Sequence, residues 1–364
     1  MTKKEKEILE VIKANPTISH SELAKLFNIS KNTVAVHISN LMNQGYLLGK
    51  AYLINEEDYL VGIGAANIDV YGKSEIKIRS HYDHPSKIHT SLGGVTRNIL
   101  ENLAYLKVNT KLLSAVGDDM YGKAILEGSK KNNIDVSNVL EVKDNGSGIF
   151  VQVLDDDNDM HLAICDMSII KYIDINYLKE KENVLKGSKM IIFDPSLNIE
   201  TIEYLIDNYK DKALFLDPVS EEYAKKIKPY IPYLHTFKPN ISELEAIINK
   251  KINNDDELIK ACKKLIDSGL KNIYVSLGKN GCLFMNNKET IKRKFKEVKN
   301  VINYSGAGDS FFAGIIYAYM NDFSINDTIN YGLASGILAL NSNTTSNNKL
   351  SIREINKIIK ENKK

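Results

Sequence analysis

Ser305-Gly306-Ala307-Gly308-Asp309-Ser310, running on into Phe311-Phe312-Ala313-Gly314, decides how the rest of this chain is read. Two glycines flank one small residue, an acid follows, and an apolar pattern of helical character begins. Such a run turns tightly into a helix N-terminus. The N–H groups of Gly306, Ala307 and Gly308 then lie at the positive end of the helix dipole, a place that attracts phosphate or a developing oxyanion. Asp309 in the first turn puts a carboxylate beside that anion hole, within reach of a substrate hydroxyl. A base beside an anion cradle is what phosphoryl transfer needs. The same four letters also read as an Asp cap after a glycine turn.

The surrounding 364 residues are 43% hydrophobic and 26% charged, enough to bury the core of one large or two moderate domains. A net charge of +2 makes no overall case for nucleic acid or membrane, so any such case is local. Cys165, Cys262 and Cys282 are scattered, without CxxC or a partnered His. That spacing predicts a reduced, cytoplasmic protein with no structural zinc. The Lys/Glu-rich start enters a helical pattern directly, unlike a signal peptide. No apolar run approaches the ~18 residues of a membrane span.

Residues 1–55 read as a separate unit. Ile8, Leu9, Val11 and Ile12 share one face of a helix over residues 5–14, which Pro16 ends. Ser19 and Glu22 form a capping box for a short helix over 21–27. Ser30 caps a third helix over 31–43, with Val34, Ile38 and Leu41 inward and Gly45 as its C-cap. Tyr46–Ile54 reads as a two-stranded hairpin. Three helices and a hairpin make a winged helix-turn-helix, and the unit resembles the DNA-binding domains of bacterial regulators. Its third helix offers Lys31, Asn32, Thr33, His37 and Asn40 to base edges and phosphates. Seven Lys against four Glu in residues 1–54 lean only slightly toward DNA, and a helical dimerisation module fits the same pattern.

From residue 59 the pattern changes. Strand-like runs at 60–64, 112–116, 190–193, 213–216, 235–237 and 273–276 alternate with helical stretches at 96–106, 122–132, 199–208, 242–248 and 256–268. This alternation predicts an α/β domain over 59–360 with a mostly parallel sheet covered on both faces. Gly148–Leu154 and Met160–Ile164 flank an acidic turn and read as a hairpin, a candidate β lid at about 147–166.

In such sheets ligands sit at the carboxyl ends of the strands. Polar groups gather there: Asn67 and Asp69 after the first strand, Gly93-Gly94-Val95-Thr96-Arg97-Asn98 leading into a helix, Lys238-Pro239-Asn240 with Glu243, and Ser276-Leu277-Gly278-Lys279-Asn280-Gly281. Asp194-Pro195 and Asp217-Pro218 also end strands, and Asp-Pro is a common turn initiator. Lys226 reads as a solvated helix-face lysine.

The Gly-Gly, Asn-x-x-Glu, Leu-Gly-x-x-Gly and Gly-Ala-Gly-Asp motifs stand in the order of the ribokinase-like (PfkB) sugar and nucleoside kinases, which residues 59–360 resemble. The resemblance implies an ATP- and Mg²⁺-dependent phosphotransferase with an alcohol acceptor. It makes Asp309 the base and Gly306, Ala307 and Gly308 the cradle of the transferring phosphoryl group. Asn240 and Glu243 become the motif that orients Mg²⁺ and its waters. Ser276, Gly278 and Gly281, with Gly306 and Gly308, become the ATP cleft. Asn67, Asp69, Gly93, Gly94 and Asn98 become the acceptor contacts. Asn303-Tyr304-Ser305 lacks the Asp that potassium-using members carry before the Gly-Ala-Gly-Asp, which puts a monovalent-cation site in doubt. The 93–104 stretch, Cys165-Asp166-Met167 and Asp217-Pro218-Val219-Ser220 are similar to the pseudouridine kinase branch, which adds Asp166 and Met167 to the acceptor side. A ribose- or hexose-type acceptor shares the same Gly-Gly and Asp contacts, and a ligand-sensing regulator with a kinase-like domain is the competing class. Paired lids or paired winged helices would make a homodimer, and neither interface is legible.

Overall fold

The computed structural model describes residues 1–44, 46–47, 58–155, 160–296, 298, 301, 306–341 and 347–362. The chain divides into two compact units, Met1–Glu56 and Glu57–Lys364.

In the first unit helices α1 (Lys3–Ala14), α2 (His20–Phe27) and α3 (Lys31–Asn43) begin where side-chain caps dictate. Thr2 and Ser19 each form a reciprocal capping box, with Glu5 and Glu22, and Ser30 caps α3 through the N–H of Thr33. Ile8, Leu9, Leu23, Val34, Ile38 and Leu41 meet in the core. Glu5 is buried as well, and its Oε1 accepts the Asn40 amide at 3.1 Å, which ties α1 to α3. The expected Gly45 cap and most of the Tyr46–Ile54 hairpin lie outside the described residues.

The second unit is built on a nine-stranded sheet. In chain order the strands of the unit are β1 (Tyr59–Ile63), β2 (Asn67–Ser74), β3 (Ser86–Gly93), β4 (Asn109–Leu113), β5 (Ala115–Gly117), β6 (Ile134–Asp135), β7 (Leu140–Val142), β8 (Gly148–Leu154), β9 (Met160–Asp166), β10 (Met190–Phe193), β11 (Ala213–Leu216), β12 (Thr236–Phe237), β13 (Asn272–Ser276), β14 (Cys282–Asn286) and β15 (Thr290–Arg293). The large sheet runs β15-β14-β13-β12-β11-β10-β1-β4-β6, parallel except for the antiparallel edge β13-β14-β15. Its central strands β10 and β11 are continuous apolar runs because both faces are covered there. Val61, Ile63, Ile191, Phe193, Leu214 and Leu216 enter one core layer, while Leu60, Met190, Ile192 and Phe215 enter the other. Successive side chains point to opposite faces.

Strand order reverses at β1, with β4 on one side and β10 on the other. The crevice at the strand carboxyl ends opens at such a reversal. The chain leaves β1 through Gly64-Ala65-Ala66 straight into a second, four-stranded sheet of order β3-β2-β8-β9. The hairpin read from the sequence, β8 with β9, is thus only half of this small sheet. The other half, β2 with β3, escapes a pattern search because Ser86–Thr90 is wholly exposed and carries no apolar alternation. The expected strand over 112–116 is two strands, broken at Ser114, with β5 turning away to pair with β7.

Candidate active site

Helix Ala307–Met320 opens at Gly306, whose φ of +77° is left-handed. A residue with a β-carbon pays ~1–2 kcal/mol for that conformation and glycine none. Asp309 sits three residues inside the helix start and makes no side-chain cap. The capping alternative therefore falls. The Asp309 carboxylate is buried instead, and its Oδ2 accepts a hydrogen bond from Asn98 Nδ2 at 2.9 Å.

Asn98 is itself held. It lies in helix Val95–Tyr105, which starts after Gly94, a residue at φ +98° whose β-carbon would stand 2.2 Å from the Ala65 carbonyl oxygen. The fully buried Arg97 donates to Asn98 Oδ1 at 2.5 Å, so the amide nitrogen of Asn98 is the end that faces Asp309. Arg97 also donates to the carbonyls of Gly93 (2.9 Å) and Leu92 (3.1 Å), at the end of β3, and to Glu101 Oε2 (2.5 Å). Glu101 Oε1 accepts from Tyr105 OH at 2.9 Å and from Asn132 at 2.6 Å. The orientation of Asp309 is thereby anchored to a buried ion pair four residues apart on one helix face.

A second group of charges converges from the large sheet. Asp217 follows β11 and Lys238 follows β12, neighbours in the sheet, and Lys238 Nζ lies 2.5 Å from Asp217 Oδ2 with both side chains buried. Asp217 Oδ1 accepts the N–H of Val219 at 2.9 Å, and Val219 is held at φ +66°. A β-branched residue there stores ~1–3 kcal/mol of strain. Lys238 Nζ stands 3.2 Å from where a β-carbon on Gly308 would be, so the missing side chain is what lets the ammonium reach the helix N-terminus. Burial works against the charge of Lys238, but Asp217, Glu243 and Asp309 outweigh it and hold the ammonium above its ordinary value. Burial first, and the Asp217 carboxylate next, push Asp309 up to about 7 against the pull of Lys238 and Asn98. Burial and Asp217 push Glu243 up to about 7 as well.

Asn240 and Glu243 form a reciprocal capping box at the start of helix Ile241–Ile248. Asn240 Oδ1 accepts the N–H of Glu243, and Glu243 Oε2 accepts the N–H of Asn240, each at 2.8 Å. The cap leaves one Glu243 oxygen for other work. A cavity of about 620 Å³ is lined by Asn240, Ser276, Gly278, Gly281, Ala307 and Gly308, with Phe311, Leu333 and Ile337 as an apolar wall. Lys279 and Lys296 also line it.

In the small sheet, Asn67 Nδ2 donates to Asp69 Oδ1 at 2.7 Å, and the Asp69 charge also acts on Asp309. A β-carbon on Gly93 would collide with the Asp69 carboxylate, so these two motifs are in contact. Burial raises the Asp69 pKa, while Asn67 and Arg97 oppose the shift. Met167 Sδ is 3.1 Å from the β-carbon position of Gly148, beside Asn67. Asp166 is exposed and accepts the N–H of Ser168 at 2.9 Å. Asp194 is a structural latch: its fully buried carboxylate accepts from Ala65 N–H, the Thr96 hydroxyl, and both the N–H and hydroxyl of Ser196. Lys226 is turned inward and donates to the carbonyls of Pro195 and Leu197.

The profile of the pfkB family carbohydrate kinases matches residues 57–352. This chain belongs to that family. A pseudouridine kinase of Escherichia coli is 30% identical over 83% of this chain and 96% of its own. An uncharacterized sugar kinase of the same organism, YeiI, is 30% identical over 96% of this chain and 97% of its own. The crystal structure of a protein from Clostridium perfringens, classed provisionally as a sugar kinase, superposes with a TM-score of 0.74 at 33% identity, covering 84% of this chain and 97% of the other. A profile of winged helix-turn-helix DNA-binding domains matches residues 1–47. Among the described residues no helix is long and apolar enough to cross a membrane.

In that N-terminal unit Lys31, Asn32 and Thr33 are exposed at the start of α3, although the Thr33 hydroxyl also shares a 2.8 Å contact with Ser30. His37 is set apart from them: it is half-buried, with Nδ1 3.7 Å from Glu5 Oε1. The monovalent-cation reading rests on Asn303–Ser305, outside the described residues. Sequence reasoning assigned no role to Arg97 or Lys238, and took Asp217 for a turn former. The available signals were an Arg and a Glu at i, i+4 in an otherwise inward-facing helix, and a Lys placed directly at a strand end.

Proposed function

We propose that the larger unit is a Mg²⁺-dependent kinase that transfers the γ-phosphoryl group of ATP to the 5′-hydroxyl of pseudouridine, and that the N-terminal unit binds DNA. The observation that carries the kinase chemistry is Asp309, a buried carboxylate with its own fixed donor, next to a glycine-opened helix N-terminus that Lys238 reaches. A carboxyl poised near 7 accepts a proton at neutral pH. The acceptor hydroxyl gives its proton to Asp309 as its oxygen bonds to phosphorus, and the bond to the β-phosphate oxygen breaks with release of ADP. Lys238 and the first-turn N–H groups of the helix, which have no intrahelical carbonyl to bond, offset the negative charge on the moving group.

Among the described residues no three His, Cys, Asp or Glu side chains gather as a ready-made metal group. The Glu243 oxygen left outside the cap, beside the cavity that Asn240 lines, fits Mg²⁺, which keeps several waters and takes one or two carboxylates besides substrate phosphates. Glu243, directly or through water, with Asn240 beside it would hold the ion, which supplies charge neutralisation at the phosphates. Ser276, Gly278 and Gly281 would line the nucleotide site. Asn67, Asp69, Gly93, Gly94, Asn98 and Met167 would meet the acceptor.

Pseudouridine is favoured as acceptor by the 30% identity to the Escherichia coli pseudouridine kinase over 96% of that protein. An ATP-consumption assay with Mg²⁺ across pseudouridine, uridine, adenosine, inosine, ribose and hexoses tests the reading. Turnover on pseudouridine well above the others is expected. Preference for another acceptor would replace the substrate and keep the mechanism. Tight nucleoside binding without turnover on any of them would overturn the kinase reading in favour of a ligand-sensing regulator.

A further inference from the structure

A second cavity, of about 550 Å³, lies at the opposite edge of the large sheet, where its strands begin. Met190, Thr236 and Asn272 are the first residues of β10, β12 and β13, and all three line it, with Tyr319 and Met320 from the last turn of helix Ala307–Met320. Its volume is within the range of small-molecule sites. None of the residues assigned above to catalysis or binding touches it.

The wall has a definite chemistry. The His235 ring is stacked on Phe215, with centroids 5.3 Å apart at 20°, and Tyr319 tilts against both, at 4.8 and 5.2 Å. His235 Nδ1 is 2.9 Å from the Thr236 hydroxyl. Among the described residues His235 Nε2 and Tyr319 OH make no hydrogen bond, so one ring nitrogen and one phenol are open at the cavity wall. Burial, and then Lys271, push His235 down to about 4, so its imidazole is neutral. The lining cation, Lys189, is spent on Asp58 at 2.5 Å, and Asp322 brings a negative charge to the same rim. Aromatic faces, a neutral hydrogen-bonding edge and the Asp322 carboxylate at the rim disfavour phosphates and carboxylates. They suit a planar, uncharged heteroaromatic molecule of nucleobase size.

The same elements reach the catalytic edge. Phe215 stands two residues before Asp217 on β11, and Thr236 two residues before Lys238 on β12. Tyr319 closes the helix that Asp309 opens. Rings continue the path: Phe215 is 6.0 Å from Phe312, and Lys238 Nζ lies 6.0 Å from the centre of the Phe312 ring. An occupant that moves His235 or Tyr319 displaces Phe215, and Phe215 is packed against the ring under the ammonium. Close-packed interiors transmit such displacements.

We infer that this cavity is an effector site for a neutral heteroaromatic ligand, coupled to Lys238 through Phe215 and Phe312. The coupling half rests on the function proposed above; the binding half does not.

The chain contains no tryptophan, so Phe323→Trp in the full-length protein puts its one tryptophan, excited apart from the tyrosines, on the cavity wall and leaves His235 and Tyr319 in place. Titration with free adenine, hypoxanthine and uracil is expected to give a saturable emission change with at least one base, lost on adding Ile325→Phe, which enlarges a side chain of the lining. No saturable change with any base, or a change that survives Ile325→Phe, overturns the site. For coupling, calorimetry on the unmodified protein is expected to show the affinity for Mg-ATP shifting about fivefold when that base is present, within the usual range of allosteric effects. Phe312→Leu, with Phe312→Met as the volume-conserving second choice, is expected to keep the base and lose the shift, because Phe312 stands on the path and not in the lining. Base binding with an unmoved Mg-ATP affinity overturns the coupling. Absence of Mg-ATP binding without any base would instead sink the proposed kinase function and leave the emission titration standing as the test of the site.

Discussion

Asp309→Asn keeps the shape of the side chain and an acceptor for the Asn98 amide, and removes only the charge. In the wild-type protein that charge is costly. The Asp309 pKa stands at about 7 in the folded state against 3.8 ordinarily. At ~1.4 kcal/mol for each pH step, the ionised carboxylate destabilises the fold by roughly 4 kcal/mol above pH 7. The sign follows from proton counting. Between pH 4 and 7 the native state holds a proton that the unfolded chain has lost, so this group makes stability fall as pH rises through that window and stay level above it. The variant has no such dependence. Lys238 loses one of its three carboxylate neighbours, which trims the gain but leaves Asp217 and Glu243 in place. The variant should therefore match the wild type near pH 4 and exceed it by about 2–4 kcal/mol at pH 8, while turnover falls roughly 10²–10⁴-fold. Urea unfolding followed by far-UV circular dichroism at pH 5, 6, 7 and 8 reads the first effect, and the ATP-consumption assay reads the second. A stability difference that is flat from pH 5 to 8, or a variant weaker than wild type at pH 8, refutes the electrostatic account. Near-wild-type turnover refutes the base.

Arg97→Met leaves Glu101 buried without its cation and should cost about 3–5 kcal/mol. Arg97→Met with Glu101→Gln should regain most of that stability, yet turnover should stay about tenfold down at unchanged KM for ATP, because nothing then holds the Asn98 amide toward Asp309. Recovery of turnover together with stability would make Arg97 a purely structural residue. On the N-terminal unit, Lys31→Ala should weaken DNA binding and lower the salt dependence by about one phosphate contact while kinase turnover stays unchanged. An unmoved affinity would place the DNA contact elsewhere than the start of α3.

Much of this protein was determined by patterns within a few residues of each other. Thr2, Ser19 and Ser30 start their helices because a side-chain oxygen three residues away from an orphan N–H satisfies it locally. Runs such as Met190–Phe193, apolar at every position, announce strands with both faces covered. Gly306 to Asp309 announces a helix N-terminus with an acid in its first turn. What a residue does with a distant partner was decided by the sheet. Lys238 finds Asp217 only because β11 and β12 lie side by side, and Asp309 meets Asn98 across 211 residues of chain. Asp217 and Asp194 look alike in sequence, each an Asp before a Pro. One ends beside an ammonium at the helix N-terminus, and the other closes a loop with four hydrogen bonds. His37 shares a helix with Lys31 yet turns to a buried Glu5 from another helix. Local rules follow from backbone geometry over one turn or one pleat, and strand order, which sets every one of these longer pairings, is written in no short window of the chain.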